Sequence, residues 1–258
     1  MHRLIPELTR LYLAGAHLTP ALLEQRVQGP SVPPLALTTV DGTTRAIVIA
    51  FDKLPGSSGE AHWNRLCEVA NALQTQLGLP APAVSITGAA GYCLWLSLQS
   101  AAPVSVVEQF IALLRQAYDP EYAQAPALQA ETAAAPELPP CLHPASGKWA
   151  AFIYPDLGAS FADDPGLEMA PPYAGQAALL EGLDSISDAR FRQALDILAP
   201  ARHAPARMSP PPVPTPSPAA IDNLLLRDAS LEDIVRYLHS KNIEPTFRHL
   251  LAAPHGQG

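Results

Sequence analysis

Two apolar runs that flank a glycine-containing turn constrain the fold of this chain most strongly. The first run is Ala83–Ile86, and the second is Tyr92–Leu96. Short apolar runs bounded by a turn are typical of buried β-strands that pair as a hairpin. The sequence therefore predicts a β-hairpin over residues 82–98.

Apolar residues recur at helical spacing after each of two predicted hairpins. One helix is predicted over residues 60–77 and another over 104–118. Upstream, runs at 35–40 and 43–51 flank a two-residue Asp-Gly turn, which predicts an earlier hairpin. The order strand-strand-helix-strand-strand-helix predicts an α+β fold with helices on one face of a sheet.

The rest of the body is predicted to be mixed in structure. Helices are expected at 4–27, 176–180 and 188–198, and a strand at 148–154. Residues 119–140 are rich in Ala and Pro and are expected to form an excursion over the surface.

A proline cluster divides the chain into three parts. Residues 199–220 hold eight prolines, a density that no helix or central strand tolerates, so an extended linker is predicted there. The body, residues 1–198, precedes it, and a helical tail, residues 221–258, follows. Apolar positions on one side of that tail predict that 221–252 docks onto a protein partner.

Charge and cysteine usage narrow the function classes. The net charge is −8, and residues 1–198 carry 10 Lys and Arg against 19 Asp and Glu. Because phosphate contacts supply much of nucleic-acid affinity, an acidic body counts against strong autonomous binding of DNA or RNA. The three cysteines lack metal-ligand spacing, and neither a signal peptide nor a membrane span is apparent, which predicts a reduced cytoplasmic protein.

Asp52 and the downstream turn together resemble active-site motifs of a known family. Asp52 ends the apolar strand, and Thr87-Gly88-Ala89-Ala90-Gly91-Tyr92-Cys93 forms the turn. The pair is similar to the first two motifs of archaeo-eukaryotic primase-polymerases, an Asp-x-Asp strand end and a Ser-Gly-x-x-Gly-x-His hairpin. The resemblance covers roughly residues 30–180 and implies the primase-polymerase sheet.

The carboxylates that this resemblance implies are incomplete. Asp52 matches the first, and is the one metal-ligand candidate, but Leu54 stands where the second should be. Glu168 corresponds to the third carboxylate of the family. Two divalent ions need several carboxylate oxygens, so Asp52 and Glu168 are interpreted as vestigial catalytic candidates; Mg²⁺ or Mn²⁺ is expected only if activity survives.

The nucleotide-binding positions are also altered. Thr87 keeps a hydroxyl, and Gly88 and Gly91 keep the tight turn that lets a backbone approach phosphate. Ala replaces the basic residues in the middle of the turn, and Cys93 replaces the histidine. These four positions, Thr87, Gly88, Gly91 and Cys93, are vestigial nucleotide-binding candidates.

The sequence thus favours a degenerate primase-like protein that binds or scaffolds in DNA replication without a cofactor. The resemblance to the family implies that it belongs to a plasmid or other mobile element. Two alternatives stay open: an active metal-dependent nucleotidyltransferase with atypical motifs, and an α+β protein-interaction module unrelated to primases. The first two hypotheses predict a groove that binds nucleic acid, and the third does not.

Overall fold

The described part of the chain forms one α+β body. The computed structural model describes residues 2–199, except 15–18, 20, 23–34, 55, 58, 90 and 124–135. The expected linker beyond residue 199, the tail at 221–258, and most of the expected excursion at 119–140 lie outside the described residues. Within them the helices are α1 Leu4–Tyr12, α2 Ala61–Thr75, α3 Val104–Tyr118, α4 Pro120–Ala123, α5 Tyr173–Leu180 and α6 Asp188–Leu198.

Five strands form one antiparallel sheet in the order β1-β3-β2-β5-β4. The strands are β1 Thr43–Asp52, β2 Ala83–Ile86, β3 Gly91–Pro103, β4 Cys141–Leu142 and β5 Trp149–Ile153. The expected hairpin over 82–98 is confirmed as β2 and β3, although β3 continues further. The mixed α+β class is likewise confirmed.

Helices cover both faces of this sheet. Ile47, Ile49 and Phe51 of β1 lie in a core with α2, α3 and α6. Ala46 and Ala50, on the opposite face of β1, lie in a second core with α1 and α5. The expectation of helices on one face holds for the two helices at 60–77 and 104–118 but is wrong for the whole body. The reason is that the strands are apolar on both sides, and each apolar face must be buried.

The first expected hairpin is shorter than its sequence pattern indicated. Only an isolated bridge joins Thr38 to Thr44 upstream of β1. Three residues separate Thr39 from Thr43, and the last of them, Gly42, has a φ of 70°. A positive φ at the last position is typical of three-residue hairpin loops, in which glycine is favoured.

A buried amide completes the pairing of β5 beyond the short strand β4. Gln176 of α5 accepts a hydrogen bond from the Phe152 amide at 2.8 Å and donates one to the Phe152 carbonyl at 2.9 Å. Gln176 is 4% exposed. The side chain therefore replaces a neighbouring strand and satisfies two backbone groups that would otherwise be buried without partners.

Candidate functional site

The residues of the two expected motifs meet at one end of the sheet. Asp52, the last residue of β1, pairs with Gly91, the first residue of β3. The next residue after β2, Thr87, lies at the same level, because its amide donates to the Gly91 carbonyl at 3.0 Å. Strand alternation puts Asp52, Gly91 and Cys93 on the face that α1 covers. The structure thus brings together the first two sequence-predicted motifs.

Glu168 lies at the same end of the sheet but in another strand position. Its neighbour Leu167 exchanges two backbone hydrogen bonds with Trp149, at 2.8 and 3.1 Å. The Lys148 carbonyl points the other way, towards His143 beside β4. Leu167 therefore lies on the β2 side of β5. Leu167 thus lies in line with β2, which is two strand spacings, roughly 10 Å, from β1.

That separation has a direct chemical consequence. Metal ions about 4 Å apart in a two-metal site must be bridged by carboxylates that converge. Asp52 and Glu168 occupy one end of the sheet without forming such a clamp, and the side chain of Leu54 carries no oxygen ligand. In the described part of the chain, no group of three or more His, Cys, Asp or Glu side chains is arranged to hold a metal ion.

The glycine at position 91 is required by the neighbouring strand. A Cβ added there would lie 2.3 Å from the carbonyl oxygen of Phe51 and 2.8 Å from both the Cα and the Oδ1 of Asp52. In this structure the close backbone approach that the sequence analysis related to a phosphate is therefore made to the last two residues of β1. Gly91 sets the distance between β1 and β3 at the end of the sheet.

In the turn after β2, the described polar groups form hydrogen bonds within the protein. Thr87 Oγ1 accepts hydrogen bonds from the amides of Ala89 and Gly91, each at 3.2 Å. The Gly88 amide donates to the Pro165 carbonyl at 2.8 Å. A phosphate loop needs amides that point at the ligand, and these three amides already have partners. Thr87, Gly88 and Gly91 therefore form a closed hairpin turn in this conformation.

Cys93 is a core residue in this structure. Its exposure is 1%, and it packs in the cluster that includes Trp95 and Ala50. Burial raises the pKa of the Cys93 thiol, and the nearby Asp52 carboxylate raises it further. The thiol is consequently protonated at neutral pH and shielded from solvent. It occupies the position of the family histidine in sequence, but it cannot contact a nucleotide without rearrangement of the core.

Lys148 neutralises the expected third carboxylate. Its ammonium contacts Asp164 and lies 3.1 Å from Glu168 Oε1. Hydrogen bonds to these two carboxylates raise the pKa of Lys148. A Cβ at Gly166 would lie 2.8 Å from the Cβ of Lys148, so the loop packs directly on the lysine stem. Glu168, whose side chain is 79% exposed, is thus one partner of a largely solvent-exposed ion pair.

A buried charge network lies behind the end of β1, and sequence reasoning missed it. Arg65 and Arg115 lie 3.3 and 3.0 Å from the carboxylate of Asp119, whose side chain is 1% exposed. Arg65 also donates to the Asp52 carbonyl at 2.7 Å, and Arg115 to the Ala50 carbonyl at 2.6 Å. These bonds occupy the outer edge of β1, where unpaired carbonyls would invite another strand.

Only part of that network has a local sequence signal. The i,i+4 spacing of Arg115 and Asp119 is typical of a helical ion pair. Arg65 lies 54 residues from Asp119, and no short-range pattern joins them. Arg115 also stacks its guanidinium 3.7 Å from the centre of the Tyr122 ring.

Comparison with known proteins adds no family assignment. No protein-family model matches this chain, and no curated protein matches its sequence. Among the residues that the structure describes, no helix has the length and apolar character needed to cross a bilayer.

Proposed function

We propose that this chain is a catalytically degenerate primase-polymerase-like protein that acts in DNA replication, on a plasmid or another mobile element, by binding and not by nucleotide transfer. One observation carries the proposal. The positions that resemble the family motifs lie at one end of one sheet, where the described amides of the turn are bonded within the protein and Glu168 is paired with Lys148. Nucleotide transfer needs turn amides that are open to phosphate and a full set of carboxylates for two metal ions.

Charge supports a mainly protein-based partnership, and we propose that it takes place in the cytoplasm. Five cationic side chains of the described residues lie within ion-pair distance of a carboxylate: Arg10, Lys53, Arg65, Arg115 and Lys148. Cations already paired in this way contribute less to phosphate binding. We therefore propose weak, salt-sensitive contact with nucleic acid. From the apolar positions of the tail, we propose a protein partner that binds residues 221–252.

The test is primer extension by the purified full chain. The reaction contains a primed single-stranded template, all four deoxynucleotides and either Mg²⁺ or Mn²⁺. We expect no extension above a heat-inactivated sample, because the carboxylate pair that holds two metals is incomplete. Parallel reactions use Asp52→Asn, Glu168→Gln and, as a matched control on the surface, Glu7→Gln.

Two other outcomes identify the alternatives. The active nucleotidyltransferase alternative has one favourable observation, because Asp52 and Glu168 do lie at the same sheet end. Extension that Asp52→Asn abolishes and Glu7→Gln retains would establish that alternative. Fluorescence anisotropy with the same primed template at low and high salt gives the third outcome. Complete absence of binding at low salt would favour an interaction module unrelated to primases.

A further inference from the structure

A short 3₁₀ segment, Pro155–Phe161, is attached to the sheet and to α2 through two aromatic side chains. The Tyr92 hydroxyl donates to the Gly158 carbonyl at 2.8 Å. Trp63 packs so closely on Gly158 that a Cβ at this position would overlap the indole ring. Tyr92 is fully buried and Trp63 is 9% exposed. This pair of rings fixes the segment against the body.

His62 lies directly beside that attachment. Its exposure is 0%, and its ring centroid is 5.0 Å from that of Tyr92. Neither ring nitrogen makes a hydrogen bond of acceptable geometry to any residue that the structure describes. Buried imidazoles in proteins normally have a partner for at least one nitrogen. A buried imidazole without good hydrogen bonds is tolerated in its neutral form, but its charged form is strongly disfavoured.

The charges around His62 reinforce this preference. Lys53, from the loop after β1, and Arg65, one turn along α2, are both cationic neighbours. The opposing carboxylate is Asp163, whose side chain is 93% exposed. Burial first, and then the two cations, lower the pKa of His62; Asp163 and the backbone of Gly59 act in the opposite direction. Glu60 is a further carboxylate near Tyr92.

We propose that His62 is an acid-sensitive latch, whose protonation releases the Pro155–Phe161 segment from α2 and β3. A second proton on the imidazole ring creates a cation near Lys53 and Arg65 in a buried site. The ring relieves that charge by moving towards water, which requires it to leave Tyr92. Tyr92 then loses the packing that aims its hydroxyl at Gly158, and the segment opens.

The direction of the pH dependence follows from the lowered pKa. In the unfolded or opened state His62 titrates near its ordinary value of about 6.5. In the closed state it stays neutral to lower pH. The closed state is therefore fully favoured above about pH 6.5 and loses stability as the pH falls towards the folded-state pKa. Each unit of difference between the two pKa values lowers the closing equilibrium about tenfold once the pH is below both.

Hydrogen exchange of the full chain at pH 7.5 and pH 5.5 tests this inference. Rates are corrected for the intrinsic pH dependence of exchange. We expect amides of residues 156–161 to lose protection at the lower pH, by up to about tenfold, while β3 amides stay protected. In His62→Phe, which keeps a buried ring and removes the titration, protection of 155–161 should be the same at both values. The matched control, His143→Gln, removes a partly exposed histidine and should behave as wild type.

Two results would overturn the inference. One is unchanged protection of 155–161 in the wild-type protein at pH 5.5. The other is an acid response that persists in His62→Phe. If His62→Phe does not fold, the imidazole C2–H resonance of His62 in the wild-type protein decides the matter. A titration midpoint at or above about 6.5 in the folded protein would contradict the proposed preference for the neutral ring.

Discussion

Replacing Asp119 with asparagine should destabilise the protein far more than a typical charge removal. The substituted side chain would keep the shape of the original and lose its negative charge. Arg65 and Arg115, with side chains only 10% and 11% exposed, would then lie together without the carboxylate that both of them contact. Breaking one partner out of a buried charge network costs about 3–5 kcal/mol, because the remaining charges stay buried and uncompensated.

The structure favours the lower end of that range. Each arginine keeps one strong hydrogen bond in the variant, Arg65 to the Asp52 carbonyl and Arg115 to the Ala50 carbonyl. Tyr122 also continues to offer its ring to Arg115. We therefore expect a loss of about 3 kcal/mol in the free energy of unfolding, which is a large fraction of the roughly 5–15 kcal/mol common for domains.

Urea denaturation followed by circular dichroism measures this difference. The control is Glu7→Gln, which removes the carboxylate of the partly exposed Arg10–Glu7 pair at 2.6 Å. An exposed pair of this kind contributes at most about 1 kcal/mol. Equal midpoints for Asp119→Asn and Glu7→Gln, with unchanged urea dependence, would refute the assignment of Asp119 as the counter-ion of a buried network.

Two further substitutions test the core and the sheet edge. Cys93→His introduces the histidine of the motif that the turn resembles. It should reduce stability by about 2 kcal/mol or more and create no triphosphate binding by calorimetry, because a larger polar ring must fit a buried site. Cys67→His on the exposed side of α2 is its control, and gained nucleotide affinity in a folded Cys93→His protein would contradict the packing described for Cys93. Gln176→Met should lower the free energy of unfolding by about 2–4 kcal/mol in a thermal or urea melt, because both backbone groups of Phe152 lose their partners. Gln74→Met, at an exposed helix position, is its control and should change stability little. Equal stability of the two variants would show that water replaces the Gln176 amide.

Local patterns in the sequence predict the elements of this fold well. The helix expected at 60–77 is observed at Ala61–Thr75, and the one expected at 104–118 at Val104–Tyr118. The strand expected at 148–154 is observed at Trp149–Ile153. These elements are fixed by apolar spacing over a few turns or pleats, which is the scale that periodicity reports.

The sequence contained a signal that both faces of the sheet are buried, although helices were expected on one face only. Residues 92–96 are apolar without alternation, and continuous apolar runs are typical of strands buried on both sides. Which helix covers the second face could not be predicted from the sequence. α1 lies far upstream of the sheet in sequence and reaches it only through tertiary packing, which no local pattern encodes.

Residues of the two sequence-predicted motifs lie together in the structure, but the contacts that they make were not predicted. Asp52, Thr87 and Gly91 do meet at one sheet end. The sequence could not indicate that Pro165 takes the Gly88 amide or that Lys148 pairs with Glu168, because these partners are joined by the fold and not by spacing. Thr87 is different: threonine often bonds amides two to four residues on, so its closure of the turn had a local signal.

On the proposed function, the contacts of these groups bear on how catalysis is lost. Active sites keep charged groups uncompensated at a cost in stability, and substitutions that compensate them stabilise the fold while they remove activity. Here Glu168 is paired with Lys148, the turn amides with Thr87 and Pro165, and the buried arginines with Asp119. These compensations come from separate elements of the chain. On the proposed function, no single substitution would therefore reopen the site, since restoring one carboxylate or imidazole leaves the other partners in place.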